Sequence, residues 1–169
     1  LLIIVICFFS ITINAQWTPN SEINTLVTSS EGGDMKALGT SSGKTYVVYW
    51  KAVSAPTNYE LRLQILDVEG FQLLGEEGML VSDEIPMSTF TVIWNITTDE
   101  EDNLYIGLTG TGGGEPAYVF KLDDEGNNLW GSGGVQVGAG YSVTILPLSN
   151  GEVIVSWFPG GESVLQKHD

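Results

Sequence analysis

Two pairs of carboxylates recur along this chain, Asp67 with Glu69 and Asp123 with Glu125. Glycoside hydrolysis needs two acids roughly 5–10 Å apart across a cleft, one as proton donor and one as nucleophile or base. Such acids usually come from different strands that face one gap. Here each pair lies within a single short segment, and the segment occurs twice, which is how scaffold residues behave in a repeat. The pairs therefore read as turn residues. An aspartate can accept main-chain N–H groups there, and the following Gly70 or Gly126 can supply a positive φ.

Other candidates meet the same test. The run Asp99–Glu100–Glu101–Asp102 offers oxygens for Ca²⁺, but a calcium loop also needs a glycine hinge and a distant glutamate. Neither is in place, so a solvated turn before Leu104 is expected. Trp50, Trp94, Trp130 and Trp157 could stack on sugar rings. Their similar strand positions favour core plugs, and Trp17 fits no such place. His168 is the only histidine, too few for a triad or a multi-histidine metal site. Asn95–Ile96–Thr97 has the form of a glycosylation sequon inside an alternating strand. Gly110 to Gly114 runs into Glu115 and Pro116 rather than a helix, so it reads as a hairpin loop and not a phosphate cradle. No catalytic, cofactor-binding or metal residue is assigned, and no cofactor is expected.

The elements that hold these residues are strands. The chain has 169 residues, 21 of them glycine, with 10% aromatics and no convincing helical period. Its formal charge of −15, from 21 acids and 6 bases, disfavours nucleic acid and anionic lipid as partners. Residues Leu1 to Ile13 are almost continuously apolar, matching the core of a signal peptide and too short to span a bilayer. Cleavage after Ala15 is expected, within a leader whose start is missing. The one cysteine, Cys7, lies in that leader, so the mature chain would carry no disulfide or thiolate ligand. The protein is expected to be secreted or held at the cell surface.

The body repeats. Leu66 to Val81 (LDVEGFQLLGEEGMLV) aligns without a gap on Leu122 to Val137 (LDDEGNNLWGSGGVQV), with half the positions identical at a shift of 56 residues. Upstream, GKTYVVYWK, NLYIGLT and GEVIVSWF each read as a turn and an alternating strand. The second copy divides into strands at Thr91–Thr97, Leu104–Thr109, Ala117–Leu122 and a broken one at Asn128–Trp130 and Val135–Val137. A third copy begins near Ser142, and Asp169 falls where Asp67 and Asp123 fall. Such periods with four strands are the mark of propeller blades. The expected layout is a lead-in at 16–30 and blade-like repeats at about 31–85, 86–140 and 141–169. The fold class is all-β, with antiparallel four-stranded propeller-like blades and about two and a half of them.

The pattern LDDEGNNLWGSGGVQV, with an NG-type turn and VIVSW, resembles the repeats of secreted propeller-type proteins of Bacteroidetes-like bacteria. Many of these carry a type IX secretion sorting domain, so that route of export is implied by analogy. Two other propeller signatures fail. Asp123 to Trp130 lacks the threonine and spacing of the quinoprotein docking motif, and Asp124, Gly126 and Trp130 lack the serine and spacing of a sialidase Asp-box. The expectation is a non-catalytic exported scaffold or binding module for an unknown extracellular protein or polysaccharide. The alternatives are the N-terminal part of a secreted propeller hydrolase acting on polysaccharide, and a Ca-dependent adhesin. Exposed blade faces and strand edges should also make the chain self-associate.

Overall fold

The computed structural model describes residues 17, 20, 22–54, 59–88 and 94–169. The leader, and residues 91–93 of the strand expected at Thr91–Thr97, lie outside them. The described residues form eleven strands and no helix. β1 (Gly32–Gly39), β2 (Thr45–Ala52), β3 (Tyr59–Leu66) and β4 (Met79–Ser82) make one antiparallel sheet in sequence order. β5 (Asn95–Thr98), β6 (Leu104–Thr109), β7 (Pro116–Leu122) and β8 (Val135–Ala139) make a second of the same order. β9 (Tyr141–Pro147), β10 (Val153–Phe158) and β11 (Val164–His168) make a third, three-stranded one. We call them blades 1, 2 and 3.

The three blades share one register. Leu66 pairs with Thr45, Leu122 with Leu104, and His168 with Val153. Asp67, Asp123 and Asp169 therefore follow their third strands at one equivalent place. The first strands agree as well, since Gly39, Thr98 and Pro147 face Thr45, Leu104 and Val153.

Sandwiching explains the sequence of the strands. All six residues of β6 are buried, because both faces of blade 2 are covered. One face sends Leu104, Ile106, Leu108, Phe120 and Leu122 into a core with Tyr46, Val48, Trp50, Leu61, Leu63 and Ile65 of blade 1. The other sends Tyr105, Ala117 and Val119 against Val143, Ile145, Val153 and Val155 of blade 3. Blade 1 thus turns a forward face to the back face of blade 2, and blade 2 does the same to blade 3. Gly107 on the forward face of blade 2 lets β9 come close, since a Cβ there would meet Val143 Cγ1 at 3.0 Å. β1 neighbours β5, and β5 neighbours β9, so the first strands of the blades converge.

The strand 1 to strand 2 turns are built alike. Gly43 N–H donates to Thr40 O, Asp102 N–H to Asp99 O, and Gly151 N–H to Leu148 O. The third residue after each acceptor has positive φ, 87° at Gly43, 62° at Asp102 and 84° at Gly151. Two are glycines, as such backbone prefers. Asp102 is the exception.

Before β1, residues 22–30 lie over blade 1. Ser29 N–H donates to Glu76 O at 2.8 Å, Gln72 Nε2 to Leu26 O at 2.9 Å, and Tyr49 OH to Thr28 Oγ1 at 3.1 Å.

Candidate functional site

The recurring acids are held by their own turns. Asp67 Oδ1 accepts the N–H groups of Glu69 at 3.0 Å and Phe71 at 2.8 Å. Asp123 Oδ1 does the same with Glu125 and Asn127, and its Oδ2 takes Asn127 Nδ2 at 2.8 Å. Burial pushes the Asp123 carboxyl up, but the donors from Asn127, Glu125 and Gly126 outweigh it and hold the group below the usual carboxylate range. Glu69 and Glu125 point to solvent from the same turns. In the β5–β6 turn Asp99 is used the same way, accepting Glu101 and Asn103 N–H, Asn103 Nδ2 and the Tyr105 hydroxyl. Burial and that acidic partner raise the Tyr105 phenol well above its ordinary value.

The acidic run is not uniformly solvated, and this corrects the sequence expectation. Asp102 is only 7% exposed and crosses to blade 1. Its carboxylate accepts Ser41 N–H at 2.7 Å, Ser41 Oγ at 3.0 Å and Ser42 N–H at 3.0 Å, while its carbonyl takes the Tyr46 hydroxyl at 2.8 Å. Burial raises the Asp102 pKa, and the hydrogen bonds from Ser41 and Ser42 more than reverse that and leave it lowered. Beside it, Lys44 pairs with Asp124 at 2.9 Å, a second tie between the two blades.

Between blades 2 and 3 the equivalent of Asp102 is Gly151, which has no carboxylate to reach across. A cleft of about 250 Å³ opens there, lined by Thr98, Asp99, Glu100, Glu101, Pro147, Leu148 and Ser149. Among the described residues no group of three or more His, Cys, Asp or Glu side chains converges as a metal site requires.

The tryptophans do not occupy equivalent positions, another correction. Trp50 lies on β2 and Trp157 one register place earlier on β10, while Trp94 precedes β5 and Trp130 lies in the β7–β8 connection. Trp130 sits edge-on to Tyr105 at 5.9 Å, plugging the junction of blades 2 and 3, and Leu74 holds the equivalent place in blade 1. Trp157 lies over Gly138, where a Cβ would come within 2.8 Å of the indole nitrogen. Trp17 is 40% exposed. His168 lies on the edge strand β11, with Nε2 buried and unbonded. Asn95 is exposed at the start of β5, and Gly110 to Gly114 form the β6–β7 hairpin loop.

One cluster escaped sequence reasoning. β1 carries a bulge between Gly33 and Lys36, and within it Asp34 holds φ at 48°. β9 carries the same bulge at the register-equivalent Ser142, φ 57°. Asp34 Oδ2 accepts the Trp94 indole N–H at 2.6 Å, and Lys36 Nζ stands 5.0 Å from the Trp94 ring centre. Trp94 in turn meets Trp50 edge-to-face at 6.2 Å, and the Trp50 indole N–H is buried without an acceptor. A bulge re-aims a side chain, and no motif in GGDMKALG announces one.

No family model matches the sequence, and no curated protein matches it. Among solved structures, an endo-1,5-alpha-L-arabinanase from Thermotoga petrophila RKU-1 is similar, with a TM-score of 0.46 and 16% sequence identity. The likeness covers 79% of this chain and 36% of that one, so the chain spans little more than a third of that protein's length.

Proposed function

We propose that this chain is a non-catalytic binding module of an exported protein, whose stacked sheets hold turns out to an extracellular protein or polysaccharide. The observation that carries this reading is how the aspartates of the turns are spent. Asp67, Asp99 and Asp123 each accept main-chain N–H groups of their own turn, and Asp102 accepts those of a neighbouring blade. Carboxylates used in this way hold backbone rather than transfer protons.

The test pairs binding with turnover. The purified protein is run through gels containing different polysaccharides and incubated with polysaccharide, peptide and ester substrates. Retardation by one polymer, with no new reducing ends or cleavage products, is expected. Turnover that survives repurification would overturn the reading.

A second reading, part of a polysaccharide hydrolase, has one observation in its favour. Asp34 is exposed on a converging first strand, beside Trp94, in a left-handed conformation of the kind that clusters at functional sites. Under that reading Asp34→Asn would abolish hydrolysis while leaving polymer retention intact.

A further inference from the structure

The joint between blades 1 and 2 shows what its counterpart between blades 2 and 3 lacks. In the first, the Asp102 carboxylate takes Ser41 N–H, the Ser41 hydroxyl and Ser42 N–H at 2.7, 3.0 and 3.0 Å. The shared register puts Glu100 and Glu101 at the places of Ser41 and Ser42, and Gly151 at the place of Asp102. The second joint therefore has a carboxylate where the first has a hydroxyl, and no side chain comes across to meet it. A Cβ added at Gly151 would meet nothing within 4 Å.

The cleft of about 250 Å³ lies at this second joint. Its sides are the β5–β6 and β9–β10 turns, and β10 stands between it and β11. Asp99 is spent on Glu101 N–H, Asn103 and Tyr105. Glu100 and Glu101 are exposed, and among the described residues their carboxylates make no hydrogen bond or ion pair. Asn150 is turned away, with its amide on Glu152 at 2.5 Å. Thr98 and Ser149 add hydroxyls to the cleft, Pro147 and Leu148 add an apolar wall, and no base lines it.

We propose that this cleft binds one neutral sugar unit of a polysaccharide, whose hydroxyls take the place that Ser41 Oγ and the Asp102 carboxylate fill in the closed joint. The proposal rests on the reading of this chain as a binding module. The closed joint sets the chemistry, a hydroxyl given to a carboxylate and a turn N–H given to an oxygen. A sugar hydroxyl can do both, donating to Glu100 or Glu101 and accepting from Glu100 N–H, the counterpart of Ser41 N–H. The C–H face of the ring then lies on Pro147 and Leu148. An ammonium group has no lone pair for the N–H. A uronate would meet like charge with no base to offset it. The volume is below the range of about 300–1,000 Å³ for drug-sized ligands and suits a single ring.

Isothermal titration with neutral gluco-, manno- and xylo-oligosaccharides, with oligogalacturonate and putrescine beside them, tests this, together with retardation in gels holding the parent polymers. One neutral series is expected to bind, and galacturonate and putrescine are not. Glu100→Ala should weaken binding about tenfold, the loss of one hydrogen bond to a charged group. Glu69→Ala, at an exposed turn position of blade 1, should leave it intact. Glu100→Ser with Gly151→Asp rebuilds the Ser41–Asp102 pair at the second joint, and should abolish binding without lowering the thermal midpoint. Retardation that survives both Glu100→Ala and the rebuilt joint would overturn the cleft as the site and leave the binding-module reading standing. No retardation of the unaltered chain by any polymer would overturn both. Heat from galacturonate or putrescine, with none from a neutral sugar, would overturn the ligand assignment.

Discussion

Asp102 and Ser41 sit 61 positions apart in sequence, yet the Asp102 carboxylate accepts both the Ser41 N–H, at 2.7 Å, and the Ser41 hydroxyl. This contact turns two adjacent hairpin turns into one joint between blades 1 and 2. It also explains why a non-glycine holds φ of 62° where blades 1 and 3 use Gly43 and Gly151. The cross-blade hydrogen bonds offset the cost of the left-handed backbone.

Asp102→Gly isolates that joint, because it removes the carboxylate while relieving the backbone. Two N–H groups at the joint lose a charged acceptor, so stability should fall by about 1–3 kcal/mol. The pH dependence follows from the lowered pKa of Asp102. A carboxyl whose folded pKa lies below its unfolded value of about 3.9 stabilises the fold above that value, and the contribution is lost as pH falls through the folded pKa. Urea unfolding at a series of pH values should show a constant gap between the two proteins near neutrality. The gap should close in the acid window below the unfolded value, and a gap that widened in acid would contradict the assignment.

Much of this arrangement was legible in the sequence. The strand positions of Leu104–Thr109 and Val153–Phe158 follow from alternation and β-branched residues, and the matching of Asp67 with Asp123 follows from a gapless repeat. The broken last strand of blade 2 was legible too, since the structure has a bridge at Leu122–Asn128 and then β8. What escaped was what depends on the third dimension. Asp102 looks like its neighbours Glu100 and Glu101 until the register sets Ser41 opposite it. Asp34 is one acid in a strand until the bulge turns it toward Trp94. The tryptophans were misjudged because spacing along the chain does not reveal that Trp130 leaves the strands and folds back as a plug.

Gly107 offers a test of the junction between blades 2 and 3. Its register equivalent in blade 1 is Val48, so the strand itself accepts valine there. At Gly107, however, an added Cβ would meet Val143 Cγ1 at 3.0 Å and Val143 O at 3.1 Å. Gly107→Val should force β9 away and cost about 1–3 kcal/mol, as overpacking does. Hydrogen exchange should then quicken in β9 and β10 while β2 and β3 keep their protection. Uniform loss of protection across all three blades would mean that the stack unfolds as a single unit.

Asp34 and Trp94 make a pair whose worth a double-variant cycle can measure. Asp34→Gly frees the backbone from φ of 48° but leaves the Trp94 indole N–H without its acceptor, in a residue only 2% exposed. A loss of about 1–3 kcal/mol is expected from the buried, unpaired donor. Asp34→Asn keeps an acceptor and tolerates the left-handed region, so it should lie close to the unaltered protein. Trp94→Phe removes the donor, so adding Asp34→Gly to it should cost little more. Strict additivity of the two single changes would show that the 2.6 Å contact contributes nothing.

Glycines of positive φ separate backbone cost from crowding. At Gly151, φ 84°, an added Cβ would meet nothing within 4 Å. Gly151→Ala should therefore cost only the left-handed conformation itself, about 1 kcal/mol. At Gly134, φ 62°, the same Cβ would lie 2.7 Å from Phe120 Cε1 and 2.8 Å from Val119 O. The clash includes main chain that cannot swing aside, and Phe120 is fully buried in the core between blades 1 and 2. Gly134→Ala should thus be the more damaging change by at least about 1 kcal/mol, since overpacking is added to the backbone term. The order matters more than the size. Equal losses in thermal unfolding would mean that the close approach of β7 to the turn before β8 is not a constraint on the fold.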